Sequence, residues 1–245
     1  MSEFSYADAP VAVRADLPAA HRRAWRRLAT PGTWWTGEER VAIAAEVRNA
    51  ARCGLCRRRK TALSPHAEEG AHDGLGALPD AAVDVIHRVV TDPGRLSKAW
   101  LEKTLASGLG DAQYVEIIGV VVTVVSIDSF CRGLGVPPQP LPEPESGEPS
   151  RRRPPAACPD GAWVAMIPHG RAAGPDADLF GEGRTPNVMR AMSLVPDEVR
   201  GLTDLGAAHY LSTDQMMDLR AGRALDRAQM ELIAGRVSAL NECFY

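Results

Sequence analysis

The sequence predicts an all-α fold, and three observations carry that expectation. Ala, Arg and Gly are abundant while aromatic residues make up only 5% of the chain, a composition that suits helices with small-residue packing better than a β-sandwich. Apolar residues recur at three- and four-residue spacing, most clearly at Met230, Ile233, Val237, Leu240 and Phe244, the pattern of an apolar helix face. Two stretches, 36–55 and 226–245, align without gaps. Ile43 falls on Ile233, Ala44 on Ala234, Val47 on Val237 and Cys53 on Cys243. Each reads as an amphipathic helix that delivers a cysteine at the same offset, which points to an old duplication of one helical unit.

Taken in order, 21–28 reads as a short basic helix. Thr36 is placed to cap the next one, with Glu39 three residues on in capping-box spacing, and that helix carries Val41, Ala44, Val47 and Ala51. Helices over 81–90 and 96–107 follow, separated by Asp92-Pro93-Gly94. Residues 114–131 are ambiguous: Val and Ile favour a strand, the length favours a helix, and Gly133 and Gly135 mark the end. Residues 137–155 are too rich in proline to continue a helix and read as an extended linker. This divides the chain into 1–136, a linker over 137–160, and 161–245. In the second part short helices are expected over 186–192, 197–205 and 213–221, then a longer one over 226–245.

The chain of 245 residues with net charge −3 offers nucleic acid or an anionic membrane no general attraction. The basic runs Arg57 to Lys60 and Arg151 to Arg153 lack interleaved aromatics. The N-terminus has no basic segment followed by an apolar stretch, so the expectation is a cytoplasmic protein. The most apolar stretch, 117–127, is bracketed by Glu116 and Asp128 and is shorter than a membrane span needs, so it reads as core. Five cysteines, an odd number, in a chain without an export signal argue against a disulfide scaffold.

Chemistry concentrates at Cys53-Gly54-Leu55-Cys56, a CxxC pair after one helix and at the start of the next. A helix N-terminus stabilises a thiolate, and Arg52 together with Arg57 to Lys60 adds positive charge. A thiolate attacks peroxides or disulfides, and a second cysteine two positions on can resolve the sulfenic acid. Glu46 lies seven residues before Cys53, two turns away on the same helix face, where it could accept a proton. His87 reads as a core histidine. Cys131 and Cys158 read as structural.

A helix with an internal glutamate, then CxxC and a following histidine, resembles the alkylhydroperoxidase D-like (carboxymuconolactone decarboxylase) superfamily. Glu231 precedes Cys243 by twelve residues, the spacing of that family. In the first stretch Val41 stands at the glutamate position and Lys60 at the histidine position. The stretches VDVIHRVVTDPGRLSKAWL, YVEIIGVVVTVVSIDSFCRGLGVP, TPNVMRAMSLVP and MELIAGRVSALNECFY are similar to the two-repeat alkylhydroperoxidase-related (seleno)protein branch. The resemblance implies a duplicated helical unit and a homo-oligomer, expected to be a trimer. It implies a thiol-dependent peroxidase that takes a hydroperoxide and an external dithiol reductant and needs no cofactor. The catalytic candidates are Cys53, Cys56, Glu46, Glu231 and Cys243, with Cys56 attacking and Cys53 resolving. It also implies that the partner of Cys243 is residue 246, cysteine or selenocysteine, one place beyond Tyr245, so that the second repeat is truncated as given.

Two alternatives use the same cysteines. In one, Cys53, Cys56, His66 and His72, spaced C-x2-C-x9-H-x5-H, bind zinc in a non-enzymatic interaction module. In the other, the pair is a general thiol–disulfide oxidoreductase.

Overall fold

The computed structural model describes residues 4–180, 185–212, 215–216, 218–241 and 243. Among these the fold is all-α, with a single isolated bridge between Cys158 and Met166 as its only β pairing. The helices are α1 (Asp16–Ala29), α2 (Gly37–Asn49), α3 (Gly54–Thr61), α4 (Asp80–Thr91), α5 (Lys98–Ala106), α6 (Asp111–Leu134), α7 (Asn187–Arg190), α8 (Pro196–His209) and α9 (Arg227–Leu240). The helix expected over 213–221 falls partly outside the described residues, as do Phe244 and Tyr245 of the last apolar stripe.

The ambiguous valine-rich stretch is the central helix. α6 runs for 24 residues and packs against α2, α4 and α8. Its β-branched residues lose rotamer freedom in a helix, but Ile117, Val120, Val121, Val124 and Ile127 are buried among three neighbours. Each such side chain gains about 1.5–3 kcal/mol on burial, more than the few tenths its helix propensity loses. Gly135 ends the helix in the left-handed conformation (φ 71°), and the Val136 N–H closes on the Cys131 carbonyl at 3.0 Å. By length and mean hydropathy α6 is long and apolar enough to cross a membrane, a difference from the shorter apolar run the sequence suggested, yet more than half of that window is buried inside the protein.

Glu116 is not a surface bracket. It lies in the core and is bonded to the Arg40 guanidinium, which also reaches Glu198 Oε1 at 2.9 Å. Trp34 N–H donates to Glu116 Oε2 at 2.6 Å. One guanidinium faces two carboxylates, and burial pushes the Glu116 carboxyl up. The triad locks α2, α6 and α8 together.

The capping box at Thr36 and Glu39 forms as its spacing implies: Glu39 N–H donates to Thr36 Oγ1 at 3.2 Å, and Thr36 N–H to Glu39 Oε2 at 2.8 Å. Asp226 and Gln229 make the same reciprocal pair at the start of α9. The two aligned stretches therefore share local structure but not surroundings. Ile43 and Val47 are buried, whereas Ile233, Val237 and Leu240 are exposed.

The proline-rich segment is extended, but it is not a free spacer. Backbone N–H groups of Glu145, Ser150 and Arg151 donate to the carbonyls of Ala29, Gly32 and Thr33, and Trp25 Nε1 donates to Pro140. Nor does it separate two cores. Leu205 of α8 belongs to the main core, and Ile167, Leu194 and Val199 pack on Ala112 and Val115 of α6.

Candidate functional site

The chain leaves α2 through a 3-10 turn (Ala50–Arg52), and Cys53 becomes the N-cap of α3 with extended backbone geometry. The turn is fixed by Cys53 N–H to the Ala50 carbonyl at 3.2 Å and by Gly54 N–H to Asp73 Oδ2 at 2.7 Å. Both thiols are therefore presented at a helix N-terminus, as CxxC at a helix start requires. Cys53 is fully buried and Cys56 nearly so, at 3% exposure.

Two histidines close over the thiols from elsewhere in the chain. His72, from the loop before α4, places Nδ1 3.5 Å from both Cys53 Sγ and Cys56 Sγ. His87, on the buried face of α4, places Nδ1 3.3 Å from Cys56 Sγ. The rings meet edge to face with centroids 4.5 Å apart. Each imidazole donates its other N–H to a carboxylate: His87 Nε2 to Glu46 Oε1 at 2.7 Å, and His72 Nε2 to Asp84 Oδ1 at 2.9 Å. Those carboxylates are held in turn. Glu46 accepts from Asn49 Nδ2 and from Leu75 N–H, each at 2.9 Å. Asp84 accepts from Trp100 Nε1 at 2.8 Å and from Arg88 Nε at 3.0 Å.

The electrostatics follow from these contacts. Burial opposes ionisation of Cys56, but the hydrogen bonds from His72 and His87 outweigh it and bring the thiol down to about 6. Cys53 is also buried, yet the N–H groups of Asp73 and Cys56 lower it from the usual thiol range. Burial disfavours the imidazolium of His72, but Asp84 and the two sulfurs raise it to about 10. His87 is raised against burial by Cys56 and Glu46. The centre thus favours thiolate beside imidazolium.

Cys56 also lines an open cleft of about 790 Å³ between α3, α4 and the end of α6. Its floor includes Val47, Val90 and Val125, and its rim carries Arg48, Arg52, Arg57, Lys60 and Arg132. Asp128 opposes that charge from within the cleft, paired to Arg48 at 2.7 Å, and Asp92 pairs with Lys60 at 3.6 Å.

Among the residues singled out from sequence, Cys53, Cys56 and Glu46 are brought together. Glu46 reaches the thiols through His87 rather than directly. His66 is exposed and stands outside the cluster, so the zinc set Cys53, Cys56, His66 and His72 is corrected: the four side chains whose ligand atoms lie within 4.8 Å of one another are Cys53, Cys56, His72 and His87. His87 is the core residue its helix suggested, but not a passive one. Its signal was Asp84, His87, Arg88 and Thr91 on one face of a helix whose other buried residues are apolar, since ionisable groups on a buried face need partners. Glu231 and Cys243 are not assembled into a second centre. Glu231 is exposed and bonded to Tyr210 and Arg227, Cys243 is exposed, and no hydrogen bond joins the two among the described residues.

Fold and centre together define an all-α protein with a buried dithiol–imidazole–carboxylate site. Comparison of the chain with family models, with curated proteins and with solved structures finds no match.

Proposed function

We propose that the chain is a thiol-dependent peroxidase of the alkylhydroperoxidase type, with Cys56 attacking and Cys53 resolving. The observation that carries this reading is the line Cys56–His87–Glu46, 3.3 Å and 2.7 Å long, ending in a carboxylate buried at 1% side-chain exposure. It places a proton donor beside a thiol that borders a cleft. The Cys56 thiolate attacks the outer hydroperoxide oxygen, and the O–O bond breaks to give a sulfenic acid and an alkoxide. The alkoxide takes the His87 proton and leaves as the alcohol. The Cys53 thiolate then attacks the sulfenic sulfur, a disulfide forms, and the hydroxide released leaves as water after taking a proton from the imidazolium pair. An external dithiol returns the disulfide to two thiols.

The burial of both sulfurs favours a hydroperoxide that can enter the cleft over a protein disulfide, which would need an exposed thiol. The test is turnover of hydrogen peroxide and cumene hydroperoxide with dithiothreitol as reductant, set beside insulin reduction. Cys56→Ser and Cys53→Ser should each abolish turnover. Unchanged turnover in both variants, or rapid insulin reduction with slow peroxide consumption, overturns the reading.

A further inference from the structure

We propose that the reduced centre is also a zinc site, built by Cys53, Cys56, His72 and His87. The argument begins with distance. Tetrahedral zinc, with Zn–S of about 2.3 Å and Zn–N of about 2.0–2.1 Å, sets neighbouring sulfur and nitrogen ligands about 3.5 Å apart. The three sulfur–nitrogen contacts here are 3.5, 3.5 and 3.3 Å, and all four ligand atoms lie within 4.8 Å of one another. In each imidazole it is Nδ1 that faces the sulfurs, while Nε2–H is held by a carboxylate, Glu46 or Asp84. That arrangement fixes the ring and aims the second nitrogen at the sulfurs, where zinc displaces its proton on ligation, as in the carboxylate–histidine pairs behind zinc. Asp73 N–H also donates to Cys53 Sγ at 3.5 Å, favouring its thiolate form.

Charge closes as well. Zinc with two thiolates is neutral; the Asp84 carboxylate is bonded to the guanidiniums of Arg59 and Arg88, and the Glu46 carboxylate accepts from Asn49 Nδ2, Leu75 N–H and His87 Nε2–H. A donor set of two sulfurs and two imidazoles, clustered out of solvent, suits zinc and not the hard cations, which take oxygen ligands.

Metal and disulfide exclude one another, because both need the same two sulfurs. Zinc therefore binds only the reduced dithiol and is lost when it is oxidised. A hydroperoxide that reaches Cys56 consumes two protons, oxidises the two zinc-bound thiolates to the disulfide, and yields alcohol, water and free Zn2+. The binding claim stands on the geometry alone; this regulatory step rests on the peroxidase reading.

The experiment uses the reduced full chain. Metal analysis should find one zinc per chain, released by thiol modification and by hydrogen peroxide together with disulfide formation. Co2+ should give tetrahedral d–d bands with sulfur-to-cobalt charge transfer. His72→Ala, His87→Ala and Cys53→Ser should lose stoichiometric binding, and Glu46→Gln should weaken it about 10- to 100-fold. His66→Ala should keep it. Because a ligand variant can unfold, circular dichroism of each accompanies the titration, and the Co2+ spectrum of the unaltered chain stands independently. An octahedral Co2+ spectrum, zinc far below one equivalent, or folded His87→Ala with full binding overturns the site. Stoichiometric zinc in a chain that, once stripped by chelator, still turns over no hydroperoxide overturns the peroxidase reading instead. Turnover without metal binding overturns only the zinc.

Discussion

Glu46 and His87 stand 41 residues apart in the chain and 2.7 Å apart in the fold, with both side chains buried. The pair orients the ring whose other nitrogen faces Cys56. Glu46→Gln keeps the shape but loses the charge that favours the imidazolium. Hydroperoxide turnover should fall about 10- to 100-fold with the far-ultraviolet spectrum unchanged. Steady-state rates of the folded variant equal to those of the original chain would exclude a role for Glu46.

The basic rim of the Cys56 cleft, with its valine floor, implies a preference for hydroperoxides that carry an anionic group on an apolar chain. The ratio of kcat/KM for a fatty-acid hydroperoxide to that for cumene hydroperoxide should exceed one and shrink as salt rises. Arg132→Gln should lower that ratio several-fold, mainly through KM. A ratio indifferent to salt and to Arg132 would remove the rim from substrate selection.

Tyr6 Oη, His21 and His209 form a wire beside the last turns of α6. Tyr6 lies 2.6 Å from His21 Nδ1, and His21 Nε2 lies 2.6 Å from His209 Nε2. Tyr6 donates to His21 and His21 to His209, an arrangement that uses both His21 nitrogens with the rings neutral. Burial first, and His209 second, push His21 down to about 3; burial and then Arg14 lower His209. An unfolded histidine titrates near 6.5, so the unfolded chain takes up protons at a higher pH than the folded one. The contribution of this pair is therefore complete above about pH 6.5 and falls as pH drops, for His21 towards about 3, by at most about 1.4 kcal/mol per pH unit for each histidine. His72 and His87, whose shifts are upward, contribute with the opposite sign above about pH 6.5. Urea unfolding at about pH 7 and about pH 5 measures the slope. It should flatten in His21→Gln, and an unaltered slope there would place the sensitivity elsewhere.

Gly119 sits where α6 crosses α8. A Cβ there would lie 2.1 Å from Glu198 Oε2 and 2.5 Å from its carboxyl carbon. Glu198 cannot swing away without leaving Arg40. Gly119→Ala should cost about 1–3 kcal/mol, read as a lower unfolding midpoint, although alanine is the better helix former. A midpoint equal to or above that of the original chain would mean the crossing has slack.

The helices were legible where a local signal sufficed. The Thr36–Glu39 box, the Asp92-Pro93-Gly94 break and Gly135 at the end of α6 (Gly133 lies inside the last turn) are each decided by neighbours in sequence. Val120 and Val124 were not, because their strand preference is overridden only by packing from α2, α4 and α8. At the site, CxxC and Glu46 were visible because helix periodicity sets them on related faces. His72 was offered only together with His66 as a metal ligand, and His87 was read as a core residue, because the nearness of both to the thiols is created by the loop before α4 and by the docking of α4 on α2. Sequence spacing offered His66 as the nearer ligand, and chain folding turned it to solvent.

Arg40 and Glu46 belong to the same helix, less than two turns apart. One is clamped to Glu198 of α8; the other steadies His87 against the thiols. α2 is thus a rigid crankshaft. The position of Glu46 against His87 is therefore set from two sides of the fold, by the helix that bears it and by the anchor of that helix on α8.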